Sequence, residues 1–522
     1  MLTTGLAADD CLSVLPPDSP HPEHVAHLTS MHVIAAETRL RDLLTARAAY
    51  AGRRRRPDLT RIGRRHRLDA AQVRAASAVA STEPLVVVEG AAGAGKTTML
   101  AAAIEAAAAH GRAIRVVTPT KKAADVARQE LGVATDSVAK LVHEHGWRWN
   151  RDGVWTRLAV GDTDPDTDAA YAGPAASARL ARGERIVVDE AGMLDQDTAL
   201  ALLTVADEHG ATVALIGDRA QLAAVGRGGV LDMAAQLLPR VHSMTTVHRF
   251  TNPAYAALTV QMRNGARLAS LFDRLAALGL VATHEDTDAL QDAVACEWRD
   301  GDALTVATND GARELNARIR EERIRARRVD DDRTATGSDG LSIGRGDVIQ
   351  TRQNDAAVHV ANRQTWIVQC VSSDGSLWAR ERNARRRSTV HLPAEYVAEH
   401  THLAYASTAY GMQGTTVAAS QTVLADTMDA STVYVGMTRG RISNRLHIVA
   451  TDLDDAREQF VLAMERNRAD RGLLQATAAA RESIRGLVTG TERRQREANL
   501  PDGTRFNRDL ARRSTPETGL GR

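Results

Sequence analysis

The sequence predicts an α/β protein with two parallel-sheet domains, a small inserted β-barrel and a helical C-terminal tail. Its 522 residues provide for about three to four domains. The shares of hydrophobic and charged residues, 43% and 25%, are ordinary for a globular protein. In two parts of the chain, short apolar runs alternate with helical segments, which is typical of parallel sheets covered by helices. Between those parts, closely spaced strands separated by turns indicate the all-β insertion.

The first α/β domain is predicted over residues 68–250, with a small hairpin insertion at 143–185 that contains three tryptophans. The preceding segment, residues 1–67, is irregular at first, becomes an amphipathic helix over 30–49 and ends in a basic run, Arg53 to Arg67. That run is either a solvated linker or a strip that contacts phosphates. The buried strands predicted in this domain are Leu85–Val88, Ile114–Val117, Ile186–Val188 and Val213–Ile216.

The second α/β domain is predicted in two pieces, residues 251–336 and 394–451, because its strands stand on both sides of the all-β insertion. Its strands are Leu304–Ala307, Gln421–Leu424 and Leu446–Val449. The insertion, residues 337–393, is predicted as a barrel with strands Val348–Thr351, Thr365–Gln369, Leu377–Arg380 and Val390–Leu392. Residues 452–522 are rich in arginine and glutamate, which predicts a helical and partly disordered tail.

Charge and cysteine content exclude several classes of protein. A net charge of +1 means that binding to a polyanion has to come from local charge. The three cysteines lack metal-type spacing, which excludes a disulfide framework or zinc ribbon and predicts buried thiols in a reducing compartment. No apolar run approaches the roughly 18 residues of a membrane span, and no signal peptide is recognisable. We therefore expect a soluble, cytoplasmic protein.

Residues 90–97, Gly-Ala-Ala-Gly-Ala-Gly-Lys-Thr, follow a predicted strand and open a helix, which is the context in which this pattern binds phosphates. The glycines let successive backbone N–H groups point at phosphate oxygens, and the helix N-terminus adds its positive end. Lys96, one of only four lysines in the chain, neutralises the β and γ phosphates, and the Thr97 hydroxyl takes a place on Mg²⁺. The segment predicts a site for ATP and Mg²⁺ formed by Gly90, Gly93, Gly95, Lys96, Thr97 and Thr98.

Two adjacent carboxylates, Asp189 and Glu190, follow the predicted strand 186–188. From the carboxyl end of that strand Asp189 can hold Mg²⁺ across from Thr97. Glu190 can orient and deprotonate a water for in-line attack on the γ-phosphate. A small-molecule kinase must position an acceptor instead, so a second acid beside the metal carboxylate favours hydrolysis.

Further motifs resemble those of superfamily 1 helicases, in the same order along the chain. They are Leu68–Gln72, Thr118–Thr120, Gly217–Leu222, Val247–Arg249, Tyr405–Thr416 and Val433–Arg441. Three segments have sequences that most resemble those of RecD-like helicases of superfamily 1B, namely Asp189–Met193, Thr308–Asp310 and Gly346–Asp355. Within that group the chain resembles the helicase half of conjugative relaxases of the TraA/TrwC type, over about residues 30 to 450.

The resemblance implies two RecA-like P-loop NTPase domains, an SH3-like barrel inserted in the second, and ATP bound between them. By position in the motifs, Gln72 would hold adenine, Gln221 would sense the γ-phosphate, and Gly414 would contact the nucleotide. Arg249 and Arg439 would reach the γ-phosphate as arginine fingers. Because such a finger contributes on the order of 10³–10⁵ in rate, hydrolysis would require the cleft to close. Cycles of closure would move the protein 5′ to 3′ on single-stranded DNA.

The same resemblance places Thr118, Pro119, Gln413 and Thr416 near the DNA backbone, and contacts to phosphate suit a motor that must hold any sequence. Tyr410 stands where the family usually has a histidine. This departure bears on the coupling of DNA contact to hydrolysis and not on the ATP site. The tryptophans of residues 143–185 either form the core of the hairpin insertion or stack a few bases.

Relaxases of this kind carry an N-terminal nicking domain with an active tyrosine and a histidine metal cluster, for which the residues before Leu68 leave no room. We therefore expect an ATP-dependent DNA helicase or translocase without nicking activity, with single-stranded and duplex DNA as partners. A separate relaxase or conjugation machinery is a further expected partner. The alternative is a non-motor DNA-binding remnant of a split relaxase. A third interpretation, an unrelated P-loop kinase, explains nothing after Gly217.

Overall fold

The computed structural model describes most of the chain in two units. Its described residues are 11–13, 15, 28–52, 54, 56–150, 153–355, 357–382, 389–466, 476–477 and 480–481. The larger unit is Arg39–Asp470, and the smaller one combines Met1–Thr38 with Arg471–Arg522. Near the N-terminus, β1 (Cys11–Ser13) pairs antiparallel with β2 (Leu28–Ser30), and α1 (Met31–Ala48) follows. Most of the tail predicted over 452–522 lies outside the described residues.

A fully parallel sheet of six strands forms the first lobe of the larger unit. Its strands are β3 (Leu85–Gly90), β4 (Ile114–Thr118), β5 (Thr135–Ser137), β8 (Arg185–Asp189), β9 (Thr212–Gly217) and β10 (His242–Met244). Its helices are α2 (Thr60–Arg65), α3 (Ala70–Val79), α4 (Lys96–Ala108), α5 (Lys121–Leu131), α6 (Val138–Glu144), α7 (Gln196–Glu208) and α8 (Val230–Leu237). The strand order is β10-β3-β9-β8-β4-β5. All four predicted strands are present, and the two that the sequence did not reveal, β5 and β10, are the short edge strands.

Burial on both faces explains why the central strands are continuous apolar runs. Along β3, Leu85 and Val87 belong to one hydrophobic core, whereas Val86 and Val88 belong to a second core on the other face. The same alternation holds in β8 and β9. Because the strands are parallel, β3, β8 and β9 all end at one edge of the sheet, where the predicted phosphate loop and carboxylate pair follow.

A second parallel sheet forms the other lobe. Its strands are β11 (Val281–His284), β12 (Ala303–Val306), β20 (Ala406–Thr408), β21 (Val417–Val423) and β22 (Gly440–Val449), in the order β11-β22-β21-β12-β20. Its helices are α9 (Pro253–Arg263), α10 (Leu268–Ala277), α11 (Thr287–Glu297), α12 (Asn309–Arg325), α14 (Ala409–Met412), α15 (Ala430–Gly436) and α16 (Leu453–Glu465). The predicted fold class of two parallel α/β sheets is thus confirmed.

The all-β insertion stands between α12 and β20. Its elements are β13 (Asp330–Thr336), β14 (Ser342–Arg345), β15 (Val348–Thr351), β16 (Thr365–Val371), β17 (Leu377–Glu381), β18 (Thr389–Leu392), α13 (Ala394–His400) and β19 (Thr401–Leu403). Five strands pair antiparallel in the order β18-β17-β16-β15-β19, and β13 and β14 form a separate hairpin. No pairing among the described residues joins β18 to β19, so the closed barrel and the domain boundaries stay predictions.

The other insertion is a two-stranded hairpin, β6 (Trp147–Trp149) and β7 (Trp155–Arg157), as the sequence predicts. The rings of Trp149 and Trp155 stack with centroids 4.8 Å apart, and Trp149 is 42% exposed. The prediction of buried thiols is wrong for Cys296 and Cys370, which are both exposed because they lie on outward faces of α11 and β16. Within the described part of the chain, no helix combines the length and apolarity needed to cross a bilayer.

Candidate nucleotide-binding cleft

The glycine loop between β3 and α4 has a backbone shape that only glycine accepts without strain. Gly93 and Gly95 have φ angles of 80° and 76°, in the left-handed region. A Cβ on Gly93 would lie 2.4 Å from the Cβ of Arg249, so a larger residue would also collide with the segment after β10. Sequence and geometry together form a curled loop that ends at the N-terminus of α4, an arrangement suited to anionic ligands.

This loop opens into a cleft of about 660 Å³ between the two lobes. The first lobe contributes Gly93, Gly95, Lys96, Thr97, Thr98, Thr118, Asp189, Glu190, Gln221 and Arg249. The second lobe contributes Gln413, Gly414, Thr416 and Arg439. Of the predicted site residues, Gln72, Gly90 and Pro119 do not line the cleft. Thr118, Gln413 and Thr416, which the resemblance assigned to DNA, lie in the same cleft as Lys96.

Gln72 lies beneath the glycine loop and makes two side-chain hydrogen bonds there. Its Oε1 accepts a hydrogen bond from the backbone N–H of Asp69 at 2.9 Å, which completes a capping box at the start of α3. Its Nε2 donates to the carbonyl oxygen of Ala94 at 3.0 Å. The side chain therefore supports the loop from below in this structure. These bonds use one N–H and one lone pair of the side-chain amide, and the adenine contact stays a prediction.

The carboxylate pair at the end of β8 is chemically suited to a hard cation. Burial and the negative charge of Glu190 raise the pKa of Asp189 to about 7, and the positive charge of Lys96 opposes this shift. A divalent cation would restore the charged form of Asp189. The described residues include no group of three or more His, Cys, Asp or Glu that could hold a metal. The groups at this edge of the sheet that fit Mg²⁺ are Asp189 and the Thr97 hydroxyl, and phosphate oxygens and water would complete the set of ligands.

Glu190 is held in an unusual backbone conformation. Its φ and ψ are 58° and 37°, the left-handed region that a residue with a side chain enters only at a cost of order 1–3 kcal/mol. Burial lowers the pKa of both Arg249 and Arg439, and the negative charge of the Glu190 carboxylate partly opposes this lowering. Glu190 therefore faces the cleft at the point where the two lobes present their arginines.

The two arginines carry positive charge that no carboxylate neutralises by direct pairing. Arg249 Nη1 donates to the carbonyl oxygen of Thr438 at 2.7 Å, and Arg439 Nε donates to that of Val435 at 2.9 Å. Arg439 is only 3% exposed, and burial together with the charge of Arg249 lowers its pKa to about 10. None of the ion pairs among the described residues includes either arginine. Such a cleft favours a polyanion.

A buried tyrosine, which sequence reasoning missed, connects the lobes behind the cleft. The hydroxyl of Tyr434 on α15 accepts a hydrogen bond from the backbone N–H of Ala92 in the glycine loop at 2.9 Å. It donates to Asp218 Oδ2 at 3.2 Å. Asp218 also accepts from Arg263 Nε at 2.9 Å and from Gln221 Nε2 at 3.3 Å. The only sequence signal was that Tyr434 lies within the motif Val433–Arg441.

We expect Tyr434→Phe to lower the free energy of unfolding by about 1–3 kcal/mol, since the buried N–H of Ala92 loses its acceptor and Asp218 loses a donor. Urea unfolding of the variant and the wild type checks this. Tyr410→Phe is the matched control, because the Tyr410 hydroxyl makes one longer bond, 3.3 Å to the carbonyl oxygen of Ala223. An equal loss in both variants would show that the bridge to Ala92 contributes nothing of its own.

A second groove, of about 740 Å³, lies next to the nucleotide cleft. Residues 223–226 of the first lobe, Thr308 and Thr408 of the second lobe, and Arg352 and Arg363 of the insertion line it. Sequence reasoning assigned neither arginine to a site, although Arg352 lies within the RecD-like segment Gly346–Asp355. Tyr410 and Arg363 line this groove and the nucleotide cleft alike.

Comparisons with known proteins agree with this geometry. Residues 67–286 match the family model of an AAA domain. The chain is 25% identical over 417 residues to a probable conjugal transfer protein TraA of Sinorhizobium fredii (strain NBRC 101917 / NGR234), which covers 78% of this chain and 35% of that protein. It is 24% identical over 396 residues to the conjugal transfer protein TraA of Agrobacterium fabrum (strain C58 / ATCC 33970), covering 74% and 33%.

Similar solved structures include Bacteroides Pif1 bound to single-stranded DNA, with 17% identity and a TM-score of 0.47 over 75% of this chain and 93% of that one. Pif1 helicase from Candida albicans has 13% identity and a TM-score of 0.49 over 81% and 99%. The chain spans about a third of the length of the TraA relatives it matches. The resemblance of the chain to TraA-type conjugative proteins, first indicated by its motifs, is thus confirmed, and the match to an AAA domain lies within the part that contains the glycine loop and the carboxylate pair.

Proposed function

We propose that the chain is an ATP-dependent DNA helicase that moves 5′ to 3′ on single-stranded DNA and takes part in conjugative DNA processing in the cytoplasm. The observation that carries the proposal is that Lys96 of the first lobe and Arg439 of the second line one cleft. Hydrolysis that needs groups from two lobes depends on their relative position. Each cycle of hydrolysis is then linked to a movement of the lobes.

In the proposed reaction, the backbone of the glycine loop and Lys96 hold the β and γ phosphates. Mg²⁺ bound to Asp189 and Thr97 would neutralise phosphate charge. Glu190 orients a water in line with the γ-phosphate and takes its proton. Arg249 and Arg439 stabilise the charge that develops on the transferred phosphoryl group. Gln221, tied to Asp218 and through it to Tyr434, reports the occupancy of the γ-phosphate site to both lobes.

For DNA, the structure favours the second groove over the residues that the motifs suggested. Thr118 is 1% exposed, and its hydroxyl donates to the carbonyl oxygen of Thr120. The second groove instead offers Arg352 and Arg363 with several hydroxyl groups, and its carboxylate, Asp429, accepts hydrogen bonds from Ser431 and Thr432 at the start of α15. Two cations among hydroxyl groups suit contacts to phosphates without base readout. Single-stranded DNA in this groove would touch the first lobe, the second lobe and the insertion.

The similarity to conjugal transfer proteins supports the place of this activity in DNA transfer. A separate relaxase or conjugation machinery is the partner we propose, because the relatives that the chain matches are conjugal transfer proteins. The alternative is a DNA-binding remnant without motor activity. It would explain the second groove, but it would not explain why Arg249 and Arg439 lie in the nucleotide cleft without a carboxylate partner.

Strand displacement tests the function directly. We expect the wild type to release the labelled strand of a duplex with a 5′ single-stranded tail, in the presence of ATP, and to be inactive on a 3′ tail. Lys96→Ala should abolish the release. Lys140→Ala is the control, because Lys140 pairs with Asp136 at the surface. Binding of the tailed duplex without release in any condition would refute the motor and favour the remnant, and release from the 3′ tail alone would refute the direction.

A further inference from the structure

A short helix, α14, separates the nucleotide cleft from the second groove, and two cations hold its last carbonyl groups. Arg363 Nη1 donates to the carbonyl oxygen of Tyr410 at 2.9 Å. Lys122 Nζ donates to that of Gly411 at 2.7 Å. Carbonyl groups at the C-terminus of a helix attract cations. The two donors come from different parts of the fold, since Arg363 belongs to the all-β insertion and Lys122 to α5 of the first lobe.

Lys122 differs from the neighbouring lysine in its surroundings. Lys121 pairs with Asp125 and Asp136 at the surface. Lys122 appears in no ion pair of the described residues, and its charged neighbours are Arg363 and Arg439. Burial and the repulsion from these arginines lower the pKa of Lys122 to about 8. The ammonium group of Lys122 thus lies near the positive charges of Arg363 and Arg439, with no carboxylate partner among the described residues, at the contact between the two lobes.

Together the cations form an unbroken series from the groove to the cleft. The positive charge of Arg352 lowers the pKa of Arg363, and the charges of Arg363 and Arg439 lower that of Lys122. The charge of Arg249 in turn lowers the pKa of Arg439. Like charges repel strongly where water is excluded. A phosphate beside one member therefore lowers the cost of keeping the others close.

The segment after α14 connects this series to the reacting groups. The backbone N–H of Thr415 donates to the carbonyl oxygen of Met412, the last residue of α14. The carbonyl oxygen of Thr415 in turn accepts a hydrogen bond from Arg439 Nη1 at 3.4 Å. A shift of α14 is thereby transmitted to the guanidinium that must reach the γ-phosphate.

We propose that Lys122 and Arg363 are positioning residues that couple polynucleotide phosphate in the second groove to closure of the nucleotide cleft through the carbonyl groups of α14. Phosphate beside Arg363 relieves the repulsion on Lys122 and so strengthens the bond from Lys122 to Gly411, already formed at 2.7 Å, which keeps the second lobe against the first. Arg439 then reaches its working position. This inference rests on the proposed function, because it requires that single-stranded DNA occupies the groove.

The test compares Lys122→Met with Lys121→Met, the same change one residue away on α5. ATP hydrolysis is measured with and without oligo-dT over a range of ATP and oligo-dT concentrations. We expect Lys122→Met to lower the rate of hydrolysis with DNA by a factor about ten times larger than the factor by which it lowers the rate without DNA. A coupling of this size is typical of two linked sites. Lys122→Arg should recover most of the stimulation, because it restores the charge. Lys121→Met should be stimulated like the wild type.

Arg363→Met is the second variant and keeps the proposal testable if Lys122→Met does not fold. It should lose stimulation and also need more oligo-dT for half of its maximal rate. If DNA stimulates the wild type and stimulates either variant to the same extent, the inference is overturned and the proposed function stays intact. An equal loss with and without DNA in Lys122→Met also overturns it, since Lys122 would then be a nucleotide ligand only. A wild type that DNA does not stimulate refutes the proposed function and the inference with it.

Discussion

Replacement of Arg439 by alanine should lower kcat for ATP hydrolysis by a factor on the order of 10³–10⁵, the contribution of an arginine finger. The guanidinium lies in the cleft, 3% exposed, and is held by the carbonyl oxygens of Val435 and Thr415. These are neutral partners, so its charge is available to an incoming phosphate. Steady-state hydrolysis at saturating ATP and single-stranded DNA is the measurement.

The control for this variant is Arg445→Ala. Arg445 lies on β22, which begins one residue after Arg439, and it forms an ion pair with Glu297 at the surface. Arg445→Ala should keep kcat within about twofold, as expected for an exposed pair. Arg439→Lys should recover only part of the rate, since a single ammonium group cannot reproduce the planar fork. A wild-type rate of hydrolysis in Arg439→Ala would show that Arg439 of the second lobe takes no part in the reaction.

The second large effect is expected from Glu190→Gln, which should reduce kcat by about 10²–10⁴, the usual range for loss of a general base. Glutamine keeps the size of the side chain but cannot accept the proton of the attacking water. Glu190 lines the cleft together with Lys96 and Thr97. The affinity for ATP should change little, because Glu190 is not among the groups that we place on the phosphates.

Glu130→Gln provides the matched control, because Glu130 lines the same cleft from the last turn of α5. It should hydrolyse ATP at nearly the wild-type rate. Equal losses in the two variants would indicate that only the negative charge of the cleft matters, and the assignment of Glu190 as the base would then be wrong. Binding of a fluorescent ATP analogue shows whether each variant still holds nucleotide.

The order of elements was largely predictable because buried parallel strands are apolar along their whole length. Every strand predicted in the two α/β parts has a counterpart, for example β3 at Leu85–Gly90 and β12 at Ala303–Val306. The strands that were missed are short or lie at sheet edges, such as β10 and β20, where few apolar residues are needed. The glycine loop and the carboxylate pair were predictable because local sequence determines both.

What could not be predicted are the contacts made across the lobes. Tyr434 and Ala92 are 342 positions apart, and Lys122 and Gly411 are 289 apart, so no local pattern relates them. For Gln72, the motif indicated a polar residue near the nucleotide, whereas the capping box uses its side chain inside the lobe.

The central claim is that a triphosphate is held by Lys96 from one lobe and by Arg439 from the other. The most direct test is binding of ADP with and without aluminium fluoride, a mimic of the transferring phosphoryl group, in the presence of single-stranded DNA. The wild type should bind the fluoride complex at least about a hundredfold more tightly than ADP, as expected of a transition-state analogue. Arg439→Ala should bind ADP as the wild type does and gain nothing from the fluoride. The same gain in Arg439→Ala as in the wild type would contradict the account.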